Sequence, residues 1–86
     1  MNKELYKQAC DKYGTDYQLN VAIEELSELI KEICKHKRGN DNLDAIAEEL
    51  ADVEIMCEQL RFIFGFEYRV DEWKKMKLNR LKSTLN

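Results

Sequence analysis

Two short acidic clusters are the residues of this 86-residue chain best suited to chemistry. One reads Glu24-Glu25-Leu26-Ser27-Glu28 and the other Glu48-Glu49-Leu50-Ala51-Asp52. Each is an acidic doublet with a further acid three residues after its second member. Residues three apart lie on one face of a helix, so Glu25 pairs with Glu28 and Glu49 with Asp52. Like charges at that spacing repel and destabilise a plain helix. Two such clusters on neighbouring helices suggest a cation that offsets the repulsion. Four hard oxygen ligands, with no His or Cys among them, suit Mg²⁺ or Mn²⁺ and do not suit zinc.

The elements that must position these acids are helices. The chain has no proline, and its three glycines, Gly14, Gly39 and Gly65, divide it into four segments with helical periodicity. The first, about residues 3 to 12, places Leu5, Tyr6, Ala9, Cys10 and Tyr13 on one stripe. Thr15 or Asp16 offers a capping oxygen to a second helix that runs to about Lys37. Its apolar stripe is Leu19, Ala22, Ile23, Leu26, Leu29, Ile30 and Ile33. The turn at residues 38–42, Arg-Gly-Asn-Asp-Asn, leads to a third helix capped by Asp41 or Asn42 and running to about Phe64. Leu43, Ile46, Ala47, Leu50, Val53, Cys57 and Phe64 form its stripe. A fourth helix begins near Val70 or Asp71 and carries Trp73, Met76, Leu81 and Leu85. Short connections between long helices favour antiparallel neighbours. The expectation is an all-α, antiparallel bundle of about four helices, forming a single domain over residues 1–86.

A helical wheel at about 100° per residue, with Leu26 and Leu50 set as the centres of their stripes, places Glu25 and Glu49 about 100° to one side. Glu28 and Asp52 fall about 160° to that side, and Glu24 and Glu48 fall on the other flank. The second and third helices thus carry matched acidic edges beside the expected core. Gln18, Val21 and Glu32 lie along the same edge of the second helix, and Ala45 and Met56 along that of the third. The competing reading is a solvated acidic face with ordinary helical ion pairs such as Glu28 with Lys31 or Glu32 with Lys35.

Composition narrows the function classes. Net charge is -3, spread without a basic block, which argues against broad DNA or RNA binding. The densest apolar run, residues 62–66, is far too short to span a bilayer. Met1-Asn2-Lys3-Glu4 is charged where a signal peptide is apolar. The three cysteines, Cys10, Cys34 and Cys57, are odd in number and widely spaced, so neither a disulfide framework nor a zinc staple is expected. Free thiols fit a reducing compartment, hence a cytoplasmic protein. So small a core leaves oligomerisation as the route to stability. Glu54 and Arg61 fall within the apolar stripe of the third helix, where a subunit interface would account for them.

The arrangement Glu25-x-x-Glu28, residues 29–48, then Glu49-x-x-Asp52 resembles the signature of the all-α nucleoside triphosphate pyrophosphohydrolases, the superfamily of MazG. The flanking strings at residues 22–29 and 48–53 look like its small, phage-type members. The resemblance covers residues 13–82. It implies a magnesium-dependent nucleoside triphosphate pyrophosphohydrolase that cleaves between the α and β phosphates, giving a nucleoside monophosphate and pyrophosphate. Glu25, Glu28, Glu49 and Asp52 would hold Mg²⁺, with Mn²⁺ an alternative, and a carboxylate not engaged by metal would take the proton of the attacking water. The resemblance also implies a homodimer or homotetramer. Relatives supply basic or amide groups from the last helix to the phosphates. Here these are Lys77, Asn79 and Arg80, or, by a different spacing, Lys75 with Asn79; a solvated basic helix end is the alternative.

Gln18, seven residues before Glu25, is placed to touch a base or phosphate. Tyr13, Tyr17, Tyr68 and Trp73 could stack on a base or serve as core. His36, among lysines at a helix end, reads as a solvated cap residue. The alternative function is a non-catalytic helical interaction module. A di-iron bundle is disfavoured because its Glu-x-x-His motif is absent.

Overall fold

The structure is a computed structural model that describes residues 2–86. It contains four helices, α1 (Lys3–Tyr13), α2 (Thr15–Lys37), α3 (Leu43–Phe64) and α4 (Arg69–Leu85). These match the four segments expected from the glycines. The termini differ by a residue or two: Gly14 occupies the N-cap of α2, so Thr15 is already helical, and α4 starts at Arg69. The glycines act at the helix ends. Gly39 and Gly65 adopt positive φ (98° and 70°). The amides that follow close the ends, Asn40 N donating to the Lys35 carbonyl and Phe66 N to the Arg61 carbonyl. This is the Schellman arrangement, in which a left-handed residue satisfies the last free carbonyls. His36 is exposed beside Lys35 and Lys37 in the last turn of α2, where positive charge complements the helix dipole.

The two long helices form an antiparallel hairpin that differs in phase from the expected one. The residues that α2 turns toward α3 are Gln18, Ala22, Glu25, Leu29 and Glu32, all buried or half-buried. Those of α3 are Asn42, Ile46, Glu49, Val53, Met56, Leu60 and Ile63, likewise buried or half-buried. Both series alternate steps of four and three, the period of a coiled-coil seam. The packed seam therefore runs along the acidic edge. Leu26 and Leu50, set as stripe centres above, remain 41% and 44% exposed.

Two amide clamps hold this register. Near the open end of the hairpin, Gln59 Nε2 donates to Gln18 Oε1 at 2.8 Å, and both side chains are buried. Near the turn, Asn42 Nδ2 donates to the Glu32 carbonyl at 2.9 Å and to Glu32 Oε1 at 3.0 Å. Asn42 occupies the N-cap of α3, but its side chain makes this cross-hairpin bond and makes no capping bond. A one-step slip would separate both pairs and leave amides buried without partners. Gln59→Ala should therefore lower stability by about 1–3 kcal/mol, because Gln18 is left buried and unpaired. The Gln18→Leu/Gln59→Leu double variant should recover most of that loss in a urea titration.

One side of the hairpin is bare. A second four-three series lies one residue after the packed seam on each helix. On α2 it is Leu19, Ile23, Leu26, Ile30 and Ile33; on α3 it is Leu43, Ala47, Leu50, Glu54, Cys57, Arg61 and Phe64. In an antiparallel pair, an equal step along both right-handed helices turns both faces to the same side. The two series thus form one face, on which Ile23 and Ile30 are each 62% exposed. The opposite side is partly covered by α1, whose buried Tyr6 donates its hydroxyl to Glu58 Oε2 at 2.6 Å. Helix α4 is tied at its first turn, where Arg61 Nη1 donates to Asp71 Oδ1 at 3.0 Å, and none of its residues is buried.

The dimensions agree with an unfinished core. The chain exposes 6879 Å², whereas a compact monomer of this mass exposes about 5,300 Å². Its radius of gyration is 15.7 Å, against about 12 Å for a compact domain of this length. No helix among the described residues is long and apolar enough to cross a membrane.

Candidate metal centre

Glu25 and Glu49 face each other across the hairpin because both occupy its packed seam. Asp52 follows Glu49 by one helical turn and leans to the side not covered by the bare apolar series. One carboxylate oxygen from each of Glu25, Glu49 and Asp52 lies within 4.8 Å of the other two. All three residues are half-buried. The cluster also has a fixed address along the hairpin. Gln18 and Glu32 stand seven residues either side of Glu25, and Asn42 and Gln59 stand seven residues before Glu49 and seven after Asp52. At 1.5 Å per residue, each clamp lies about 10 Å from the acids along the helix axis. The carboxylates are braced from both directions.

The electrostatics are those of crowded negative charge. Partial burial pushes the Glu25 carboxyl above the usual carboxylate range, reinforced by a hydrogen bond shared with Asp52 and by the charges of Asp52, Glu49 and Glu28. Glu49 is also raised, first by loss of water and then by the charges of Asp52, Glu28, Glu48 and Glu32. Glu49 Oε2 is buried and has no hydrogen-bond partner. A buried carboxylate oxygen without a donor costs free energy unless a proton or cation meets it. Three carboxylates from two helices, one of which has an unpartnered buried oxygen, fit a hard divalent cation that uses carboxylate ligands and retains several waters.

Glu28 differs from the other three. It is exposed and lies outside the close triad, although its charge reaches both Glu25 and Glu49. Glu24 and Glu48 are exposed too and also lie outside the triad. The recentred helix phase removes them from the opposite flank and puts them on the outer part of the same open acidic side. Gln18 lies in the packed seam, 6% exposed, and its amide oxygen accepts from Gln59 Nε2. Its partner Gln59 was not singled out by the sequence, because a single glutamine within a stripe carries no periodic signal.

Lys77, Asn79 and Arg80 are exposed on α4, and no basic residue of that helix is among the charges acting on Glu25 or Glu49. The Lys77 ammonium lies 6.0 Å from the centroid of its own helix's Trp73. Tyr13 and Tyr17 stack on each other at 5.4 Å and remain half-exposed. Tyr68 and Trp73 are exposed and are not core.

The raised carboxyls predict a pH dependence. Glu25 and Glu49 keep protons in the folded chain at pH values where the unfolded chain, with carboxyls near 4.5, has released them. Stability of the metal-free protein should therefore fall as pH rises from 4.5 through the raised values. Glu32, lowered by its bonds from Asn42 and Lys35, acts oppositely and in a separate window, below 4.5. Thermal melts in chelator should show Tm falling above pH 4.5, and millimolar Mg²⁺ should flatten the fall. A metal-free Tm that climbs throughout that window contradicts the assignment.

Comparison of the chain with protein-family models, with curated proteins and with solved structures gives no match in any of the three.

Proposed function

We propose that the protein is a magnesium-dependent nucleoside triphosphate pyrophosphohydrolase that works as an assembly of at least two copies. The observation that carries this reading is the convergence of Glu25, Glu49 and Asp52 from two helices to within 4.8 Å, with Glu49 Oε2 lacking any partner. A site of three carboxylates repels a triphosphate until cations are present. When bound, Mg²⁺ or Mn²⁺ would offset the phosphate charge, polarise the phosphates and lower the pKa of a water. Glu25, Glu49 and Asp52 would hold the ion. Glu28, outside the triad but with its charge acting on both Glu25 and Glu49, would accept the water's proton. The packing of Glu25 and Glu49 in the seam fixes their positions, and the two amide clamps keep them from sliding relative to each other.

The surface supports assembly. The excess of about 1,600 Å² per chain over a compact monomer corresponds to about 3,200 Å² across a contact of two copies, the range of large obligate interfaces. The bare face, with its sustained four-three spacing, is suited to a second hairpin. Glu54 lies exposed within that face, whereas Arg61 in the same series is paired with Asp71 of its own chain.

The deciding experiment offers a panel of ordinary and modified nucleoside triphosphates with Mg²⁺ and measures the products. Release of pyrophosphate and monophosphate, dependent on the metal, supports the reading. Release of inorganic phosphate instead, or no turnover of any triphosphate, contradicts it. The second reading, a non-catalytic interaction module, is favoured by the same bare apolar face, and it predicts a stable assembly with no turnover.

A further inference from the structure

The open acidic side of the hairpin has a direction. On each helix it is the series one residue before the packed seam, so both series turn to the same side. On α2 it reads Tyr17, Val21, Glu24, Glu28 and Lys31, and on α3 Glu48, Asp52 and Ile55. The carboxylates stand in the middle. Tyr17 lies eight residues before Glu25, about 12 Å along the axis, and Lys31 lies six after it, about 9 Å the other way.

The Tyr17 end is apolar. Ile55, one turn beyond Asp52, forms one wall of a groove of about 350 Å³ whose other wall is α1, with Leu5, Ala9 and Tyr13. Gln8 brings to it an amide that can both donate and accept. Tyr13 and Tyr17 stack there and stay half-exposed. The one cation lining the groove, Lys12, holds its ammonium 5.2 Å from the centroid of the Tyr13 ring. The other end is cationic. Lys35 is paired with Glu32 at 3.4 Å. The Glu28–Lys31 pair suggested by sequence spacing does not form, and Lys31 makes no ion pair among the described residues. Lys31 is exposed, one helical turn from Glu28.

We propose that a nucleoside triphosphate lies along this side in a single direction, with its base in the groove between α1 and α3 and its terminal phosphate at Lys31. A base needs apolar walls, a ring face and a few polar groups, and the α1 end supplies all three. The terminal phosphate needs a cation that no carboxylate has already neutralised, and Lys31 is that cation. The carboxylates between the two ends then face the bridging phosphates. Lys31 is thereby a substrate-binding residue that the chain supplies to its own site, and Gln8 and Ala9 determine which base fits. The inference rests on the pyrophosphohydrolase reading and adds the polarity of the bound substrate to it.

The test offers the two halves of the substrate separately to the full chain labelled with ¹⁵N and follows its backbone amides by NMR. A nucleoside without phosphate should shift Ala9, Tyr13 and Ile55. Tripolyphosphate with Mg²⁺ should shift Glu28 and Lys31 and leave Ala9 in place. Ala9→Leu, which fills the groove, should abolish the nucleoside shifts while tripolyphosphate binds as before, and that unchanged binding is the control for folding. Lys31→Ala should weaken tripolyphosphate binding by about tenfold or more, the loss of one charge-assisted hydrogen bond. Lys31→Arg should restore most of it, and Lys12→Ala should have no effect. Nucleoside shifts at Lys31 with tripolyphosphate shifts at Lys12 would reverse the direction and overturn the proposal. So would the absence of nucleoside shifts in the groove, or equal tripolyphosphate affinity in the parent and Lys31→Ala. None of these readouts depends on turnover. Shifts in the expected order without hydrolysis of any triphosphate would keep the direction of binding and sink the enzymatic reading. Hydrolysis with the order reversed would sink the direction alone.

Discussion

Glu25→Gln and Glu49→Gln should each lower kcat/KM on a nucleoside triphosphate by at least about a hundredfold, beyond the 10–100-fold typical of groups that merely orient a ligand. Both residues occupy the packed seam, and each puts an oxygen within 4.8 Å of the other and of Asp52. A neutral amide keeps the shape and removes one charged ligand. The fold should not suffer. Burial and neighbouring charge already hold both carboxyls up, so removing one acid relieves repulsion. The metal-free variants should melt at or above the temperature of the parent. Glu24→Gln and Glu48→Gln should retain most of the activity, because both side chains are exposed and outside the triad. Four single variants, assayed at saturating Mg²⁺ with circular dichroism as the folding control, decide the matter. Equal loss within each doublet would mean that the outer acids also touch metal or substrate.

Leu26→Lys should break the assembly. In an isolated chain this is a mild change, since Leu26 is 41% exposed and surface substitutions usually shift stability by about 0.5 kcal/mol or less. In an assembly packed through the bare face, Leu26 stands in the middle of the series from Leu19 to Ile33, and a lysine there buries an unpaired ammonium. Such burial costs several kcal/mol, and a two-fold interface suffers it twice. Light scattering at micromolar concentration should show the parent as at least a dimer and the variant as a monomer. The variant's melting temperature should drop and lose its dependence on protein concentration. A parent that is monomeric and fully active, or a variant of unchanged mass, would show that the face is simply solvated. Lys31→Ala, one residue outside the series, is the control and should leave the mass unchanged.

Much of this protein is legible in its sequence, for local reasons. Helix existence follows from periodicity, and the ends follow from Gly14, Gly39 and Gly65, since only glycine takes positive φ cheaply. The relative phase of Glu25 with Glu28 and of Glu49 with Asp52 is a property of helical geometry, so the matched acidic edges could be drawn without a fold. The absolute phase could not. Each long helix carries two series of identical four-three spacing, one residue apart, and periodicity alone cannot say which is packed within the chain. The larger residues, Leu26, Ile30 and Leu50, suggested one answer. The chain uses the other, lined by Ala22, Leu29, Val53 and Met56 and interrupted by polar residues, because those polar residues pair across the hairpin: Gln18 with Gln59 and Glu32 with Asn42. Such pairings join residues 41 and 10 positions apart, a distance that no local pattern encodes. That choice brings Glu25 and Glu49 between the helices, pairs Gln18 with Gln59, and leaves the larger apolar residues exposed. It is therefore the tertiary structure, through long-range hydrogen bonds and not through hydrophobic size, that decides which acids can share a cation.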